Sequence, residues 1–230
     1  MIRLDHLFIA LDDWQMTISL TVEAGSFCAL IGPSGAGKST ILNAIAGFLP
    51  HGPGQIFIDG ADMANLPPAK RPISMLFQDH NLFNHMTVAQ NVALGICPSL
   101  KLDKSQWQQV HEALEQVELG GMGSRLPRAL SGGQRQRASL ARAILRDRPV
   151  LLLDEPFAAL GPALRKDMLT LVSDLARKNG QTIIMVTHHP EDAMLAADQT
   201  ALVHDGTIAQ QGPSEQLFAN PSEALTAYMG

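Results

Sequence analysis

The stretch GPSGAGKST, residues 32–40, decides the fold of this chain. It follows the apolar run FCALI at residues 27–31, which predicts a buried strand, and it leads into Ile41, Leu42 and Ile45 at helical spacing. The stretch matches the pattern G-x-x-x-x-G-K-[ST], a glycine-rich loop whose backbone N–H groups can surround a phosphate. A strand, a glycine loop and a helix in this order predict a site for ATP or GTP.

Each residue type in this loop has a chemical reason to be there. Glycines adopt backbone conformations that other residues avoid, and the following helix directs the positive end of its dipole at the same point. Lys38 is predicted to reach the β- and γ-phosphates, and the Ser39 hydroxyl to ligate Mg²⁺. The candidate nucleotide-binding residues of the loop are Gly32, Pro33, Ser34, Gly35, Ala36, Gly37, Lys38, Ser39 and Thr40.

Bulk composition indicates one α/β domain, with room for an inserted subdomain. The chain has 230 residues, of which 46% are hydrophobic and 17% charged. A net charge of -5 argues against nucleic acid as a principal partner. The two cysteines lack metal-ligand spacing and indicate no disulfide framework, which favours a reducing cytoplasm. The amino terminus does not resemble a secretory signal, and no run approaches the ~18 apolar residues that span a bilayer, so we expect another chain to hold this one at any membrane.

The segments on either side of the phosphate loop read as strands. Alternating apolar residues from Ile2 to Val22 predict an antiparallel flap beside the nucleotide, where Trp14 either stacks on an adenine or packs in the core. QIFIDG at residues 55–60 predicts a hairpin strand, and ISMLFQ at 73–78 a buried strand that ends at Gln78. Gln78 would then lie where it could contact Mg²⁺ or an attacking water.

Residues 79–148 have a helical pattern. Asp103 is a candidate N-cap for a helix that buries Trp107, Val110, Leu114 and Val117 in a small core. LSGGQ at residues 130–134 opens another helix, with Ser131 as a possible N-cap; its glycines give either simple loop flexibility or a second anion site. The arginines of this helix are predicted to form a solvated face; they are Arg135, Arg137, Arg142 and Arg146.

Two later strands are predicted to bring chemistry to the phosphates. VLLLDE at residues 150–155 reads as a buried parallel strand, and ligands bind at the carboxyl ends of such strands. Asp154 suits Mg²⁺ coordination, and Glu155 could accept a hydrogen bond from an attacking water. TIIMVTHH at residues 182–189 predicts a strand that presents His188, for which a γ-phosphate contact is a better hypothesis than metal binding with His189. Asp205-Gly206 is a hairpin signal at the margin of the sheet.

The ordered set of motifs resembles the ATP-binding subunit of ABC transporters. The set is GPSGAGKST, Gln78, LSGGQ, VLLLDEP and His188, and the resemblance covers the whole chain. It implies an α/β fold with a RecA-like P-loop core and an antiparallel β subdomain over residues 1–78 and 149–230, and an inserted helical subdomain over 79–148. It also implies a head-to-tail homodimer, in which each ATP lies between one phosphate loop and the partner's signature residues, here Ser131, Gly132, Gly133 and Gln134.

The resemblance also implies roles for individual residues. Lys38, Ser39 and Thr40 would hold the phosphates and Mg²⁺. The implied metal-site residues are Ser39, Gln78 and Asp154, and the implied catalytic residues are Glu155, which positions water, His188, which contacts the γ-phosphate, and Gln78, which senses Mg²⁺ and the permease.

Within this family, the phrases RPISMLFQ, NLFNHMTVAQNV and PALRKDMLTLVS resemble the subunits of bacterial thiamine importers. Such an importer implies an integral membrane permease, a periplasmic substrate-binding protein that acts indirectly, and a peripheral location on the cytoplasmic face of the inner membrane. Importers of ferric iron, polyamines or molybdate share the core motifs and remain alternatives. A non-transport ABC ATPase fits less well, because those proteins carry long coiled-coil insertions or a duplicated cassette.

Three positions depart from the family pattern. The aromatic residue that usually stacks on adenine falls at Leu11, with Trp14 or Phe8 as possible substitutes. The loop after Glu155 usually reads Ser-Ala-Leu-Asp, whereas this chain has Gly161 in place of the aspartate. Gly161 cannot supply that aspartate's hydrogen bonds across the dimer, so weaker communication between the two sites is expected. The residue after His188 is a second histidine, which we treat as minor.

Overall fold

Two sheets organise the protein in the computed structural model, which describes residues 1–11, 14–52, 54–77 and 81–230. One sheet is antiparallel, with strand order β2-β1-β4-β5; the other has the order β10-β9-β3-β8-β7-β6. The strands are β1 (Ile2–Leu11), β2 (Trp14–Val22), β3 (Phe27–Ile31), β4 (Ile56–Ile58), β5 (Ala61–Asp62), β6 (Ile73–Leu76), β7 (Val150–Asp154), β8 (Thr182–Val186), β9 (Gln199–His204) and β10 (Thr207–Pro213).

The larger sheet is parallel from β6 through β7, β8, β3 and β9, and only the edge strand β10 runs antiparallel to its neighbour. The chain crosses from β3 to its neighbours through helices, as parallel pairing requires. Strands β3 and β8 are buried along their whole length, which explains their unbroken apolar sequence. The carboxyl ends of β3, β7 and β8 therefore meet at one edge, which is where the predicted site residues follow.

Helices fill the connections between these strands. They are α1 (Lys38–Ala46), α2 (Val88–Ala93), α3 (Lys104–Gln116), α4 (Gly132–Leu145), α5 (Pro162–Lys178), α6 (Pro190–Ala196), α7 (Ser214–Ala219) and α8 (Glu223–Met229). The candidate N-caps at Asp103 and Ser131 are confirmed, each as a capping box with a glutamine three residues later. Helices α2 to α4 lie within the segment 79–148, whose status as a subdomain stays a prediction. None of the helices in the described ranges is long and apolar enough to cross a membrane.

The apolar core lies on both faces of the parallel sheet. One cluster joins that sheet to the antiparallel sheet and α1 through Ile18, Leu30 and Ile41, all of which are fully buried. The second cluster joins the parallel sheet to helices α2, α3, α4 and α5, and Val92 and Leu140 are among its members. The predicted apolar face of α3 packs here: Val110, Leu114 and Val117 are buried and Trp107 is partly buried.

The prediction of a solvated arginine face on α4 is wrong for most of its members. Arg137 is largely buried beside Glu118, with which it forms an ion pair, and Arg135 donates to the carbonyl oxygen of Leu130 at 2.7 Å. Arg142 is half-buried and donates to the Asn81 carbonyl oxygen at 2.8 Å. The charged ends of these three side chains therefore reach polar groups of the protein.

Candidate functional site

The predicted phosphate loop connects the end of β3 to the start of α1. Gly32, Gly35 and Gly37 have φ angles of 142°, 81° and 98°, which are unfavourable for residues with a side chain. At Gly32 the space is also closed, because an added Cβ would lie 2.1 Å from the Val203 carbonyl oxygen of β9. The first glycine of the motif is therefore required by both backbone conformation and packing.

Lys38 is the first residue of α1 and is only 6% exposed. Its ammonium donates to the carbonyl oxygens of Gly32 and Pro33, each at 2.8 Å. Burial lowers the pKa of Lys38, while the carboxylates of Glu155 and Asp154 act in the opposite direction. The loop thus holds a cation at its centre, with two carboxylates close enough to affect it.

Ser39 and Asp154 meet although they are far apart in the sequence. The Ser39 hydroxyl donates to Asp154 Oδ1 at 2.7 Å. Burial raises the pKa of Asp154; the Ser39 hydrogen bond and Lys38 lower it, and Glu155 adds to the increase. A hydroxyl and a carboxylate are oxygen ligands of the kind that Mg²⁺ takes, so the donor set fits this ion.

Glu155 and His188 follow adjacent strands and face each other. Glu155 Oε2 lies 3.3 Å from His188 Nδ1. Glu155 has a φ of 43°, a left-handed conformation that is uncommon for residues other than glycine, and its N–H donates to the Val186 carbonyl oxygen of β8. Strained backbone of this kind concentrates at functional sites. The pairing brings together two of the three residues predicted to be catalytic.

A pocket of about 260 Å³ lies over the phosphate loop. The residues that line it are Trp14, Ser34, Gly35, Gly37, Lys38, Ser39, Thr40 and Glu155. Trp14, at the start of β2, also packs against Gly37, since a Cβ on that glycine would lie 2.6 Å from the indole ring. Of the two proposed substitutes for the stacking aromatic, Trp14 is therefore at the pocket, whereas Phe8 is an exposed residue that does not line it.

The LSGGQ segment is apart from this pocket within one chain, and its residues do not line it. The Ser131 Oγ accepts from the Gln134 N–H at 3.2 Å, and Gln134 Oε1 accepts from the Ser131 N–H at 3.0 Å. Gly133 packs closely against α5, because a Cβ there would lie 2.7 Å from the end of the Leu164 side chain. The segment is thus a rigid helix start whose surface a second chain could approach.

One predicted site residue, Gln78, lies outside the described residues, together with Asp79 and His80. Sequence reasoning also missed a contact: the Tyr228 hydroxyl donates to the His188 carbonyl oxygen at 2.9 Å. Nothing in the sequence signals this bond, because the two residues are 40 positions apart and belong to no common motif.

Comparison with known proteins gives consistent matches. A family described as ABC transporter matches residues 16–158. The chain is 52% identical to the Thiamine import ATP-binding protein ThiQ of Cereibacter sphaeroides, over the whole of both chains. It is 52% identical to the protein of the same description from Escherichia coli strain K12, over 91% of this chain and 90% of that one.

Solved structures of ATP-binding cassettes have the same fold as this chain. An ATP-binding cassette of an ABC transporter, MJ1267 in its ADP conformation, has a TM-score of 0.89 at 25% identity and covers 100% of this chain and 98% of its own. The cassette MJ0796, a dimer in a post-hydrolysis state bound to ADP and Pi, has a TM-score of 0.79 at 26% identity, over 93% and 99%.

Proposed function

The chain belongs to the ABC transporter family, and we propose from this premise that it is the ATP-hydrolysing subunit of a bacterial thiamine importer. The fold is that of the ATP-binding cassette, as the motifs predicted. The observation that carries the cargo assignment is the 52% identity over the full length of a thiamine import ATP-binding protein. Importers of iron, polyamine or molybdate are not favoured by these relatives.

ATP would bind with its phosphates at residues 32–40 and its adenine toward Trp14. The backbone N–H groups of the loop and the Lys38 ammonium would stabilise negative charge on the β- and γ-phosphates. Ser39 and Asp154 would hold Mg²⁺, with Gln78 as a further ligand, and the ion would supply charge neutralisation at the phosphate oxygens. Trp14 borders the pocket, which supports it as the substitute for the stacking aromatic residue whose position Leu11 occupies in this chain.

Glu155 and His188 would act on the terminal phosphate. Glu155 would accept a hydrogen bond from the attacking water, whose oxygen forms a bond to the γ-phosphorus while the bond to the bridging oxygen of ADP breaks. His188 would donate to a γ-phosphate oxygen. The 3.3 Å contact between the two side chains supports their action on one centre.

A second copy of the chain would complete each site. In a head-to-tail dimer, Ser131, Gly132, Gly133 and Gln134 of one chain would cover the ATP bound to the phosphate loop of its partner. The dimeric state of the related cassette bound to ADP and Pi supports this arrangement. Closing and opening of the dimer would switch a membrane permease between inward-facing and outward-facing states, so this chain would lie on the cytoplasmic face of the inner membrane, held there by that permease. A periplasmic binding protein would deliver the thiamine, and no residue of this chain need contact it.

The test is uptake of labelled thiamine by cells whose only copy of this subunit is either the wild type or Glu155→Gln. We expect the variant to abolish uptake while its abundance in the membrane fraction stays equal, because a glutamine binds water without accepting its proton. Thr226→Val serves as the control, because Thr226 is exposed and does not line the pocket. Equal uptake in both strains would contradict the thiamine assignment, and uptake of labelled iron or spermidine that depends on Glu155 would identify another cargo.

A further inference from the structure

The carboxyl-terminal helix α8 is fixed against the main sheet beside the nucleotide site. Leu225 is fully buried in a cluster with Ile31 of β3 and Leu202 of β9. The start of the helix is held twice: the Ser222 side chain caps the Leu225 N–H, and the Ser222 N–H donates to Gln210 Oε1 at 2.9 Å. The helix therefore presents its remaining side chains in a defined position.

One of those side chains, Tyr228, reaches the loop that carries His188. Its hydroxyl donates to the His188 carbonyl oxygen at 2.9 Å. Burial raises the pKa of Tyr228, the nearby Gly32 backbone acts in the opposite direction, and the carboxylates of Glu191 and Glu155 add to the increase. The hydroxyl thus stays protonated and donates to the His188 carbonyl oxygen.

The Tyr228 contact and the packing of Leu225 against Ile31 join α8 to two separate parts of the candidate site. Ile31 ends β3 directly before the phosphate loop, and His188 follows β8. The His188 side chain is 42% exposed, and the interactions that orient it within the described residues are the 3.3 Å contact with Glu155 and ring contact with His189 at 4.1 Å between centroids. Because only these two contacts orient the side chain in the described part of the chain, the position of the imidazole also depends on how the His188 backbone is held.

We propose that Tyr228 is a positioning residue, which fixes the His188 backbone relative to α8 and the main sheet so that the imidazole meets the terminal phosphate. This inference rests on the proposed ATPase function. Tyr228 acts through His188 and does not line the pocket over the phosphate loop. Loss of its hydroxyl should lower the rate of the chemical step and leave the binding of ATP intact, because Lys38 and Trp14 keep their places.

The experiment compares Tyr228→Phe with the wild type in steady-state hydrolysis of Mg-ATP by the purified full chain. We expect kcat to fall about two- to tenfold, the range that corresponds to one hydrogen bond, with KM for ATP unchanged within twofold. Rates are expressed per nucleotide-binding site titrated, so that misfolded protein does not count. Thr226→Val is the matched control: it removes another α8 hydroxyl, one that donates within the helix to the Ser222 carbonyl oxygen, and its kcat should equal that of the wild type.

A double-mutant cycle separates positioning from a general structural role. In the His188→Ala background, measured by single turnover with radiolabelled ATP, Tyr228→Phe should have no further effect, because the residue it positions is gone. An unchanged kcat for Tyr228→Phe, a change confined to KM, or an equal fold-loss in both backgrounds would each overturn the proposal. Absence of turnover in the wild type would contradict the proposed function itself, which distinguishes the two failures.

Discussion

Gly161→Asp restores the residue that the family pattern has before α5, and the structure lets its effect be worked out. Gly161 is the N-cap of that helix, with φ −64° and ψ 159°, an extended conformation that any residue adopts, and no side-chain cap is present. An added Cβ would meet nothing within 4 Å. Aspartate therefore enters without strain, and its carboxylate can accept from the N–H groups of Ala163 and Leu164, the usual partners of an N-cap side chain.

Three effects on stability act in the same direction. An aspartate cap exceeds a glycine cap by a few tenths of a kcal/mol. Loss of glycine's freedom in the unfolded chain adds about 0.4–1 kcal/mol, and a negative charge at the helix start adds about 0.3–1 kcal/mol. The sum is about 1–2 kcal/mol, which for a chain of this length is an increase in Tm of about 2–8 °C.

The effect on activity is separate, because it needs the partner chain. If the aspartate forms its hydrogen bonds across the dimer, steady-state ATP turnover should rise about two- to tenfold, the range for one net hydrogen bond. Gly161→Asn caps the helix without the charge, and Gly161→Ala reduces unfolded-state freedom without a cap. Thermal unfolding and ATP turnover of all three variants resolve the contributions.

The reasoning has two independent points of failure. A Tm for Gly161→Asp no higher than that of Gly161→Ala would contradict the cap geometry. An unchanged or lower turnover in an aspartate variant whose Tm has risen would contradict the role of this loop in communication between sites.

Three further predictions concern single residues. Lys38→Ala should lose nucleotide binding because the charge at the phosphates is gone, and calorimetric titration that finds ATP affinity retained would contradict its placement. Arg71→Met should lower the free energy of unfolding in urea by about 3 kcal/mol or more, because its guanidinium donates to four main-chain carbonyls, three of these bonds buried and two of them to α1. A loss below about 1 kcal/mol would exclude that role. Iodoacetamide should modify Cys97 in the native protein at a lower pH than an ordinary thiol, because hydrogen bonds from Ser99 lower its pKa. Cys28, whose pKa burial raises to about 12, should react only after unfolding. Mass spectrometry of peptides that finds both cysteines labelled equally would refute this.

Local patterns in the sequence predicted the parts of the site that are built locally. The phosphate loop follows from glycine positions that the backbone requires, and the capping boxes at Asp103 and Ser131 follow from residue pairs three positions apart. The meeting of Ser39 with Asp154 was also predictable, because buried parallel strands place their carboxyl ends at one edge. Motifs therefore predict the positions of residues that lie at the end of a strand or the start of a helix.

The remaining features depend on contacts that no pattern encodes. Arg71 belongs to no motif, yet it is 2% exposed and donates to the Ala44 carbonyl oxygen of α1 from 27 positions away. Tyr228 reaches His188 only because α8 packs on the main sheet, which depends on tertiary burial of residues such as Leu225. The half-buried arginines of α4 have the same origin, since helical spacing places them on one face but does not say what covers it.

A polar network gives the Gly161 prediction a physical route within one chain. The Thr187 hydroxyl, at the end of β8 and one residue before His188, donates to Asp192 Oδ2 at 2.8 Å, and Asp192 Oδ1 lies 4.0 Å from Arg165 of α5. Arg165 in turn donates to the Leu160 carbonyl oxygen, directly before Gly161. Two hydrogen bonds and one ion pair thus join the loop that would contact the γ-phosphate to the loop that would contact the partner chain. In this chain these contacts lead to Gly161, which has no side chain to contact the other nucleotide site. Gly161→Asp supplies that side chain and is therefore the direct test of coupling between the two sites.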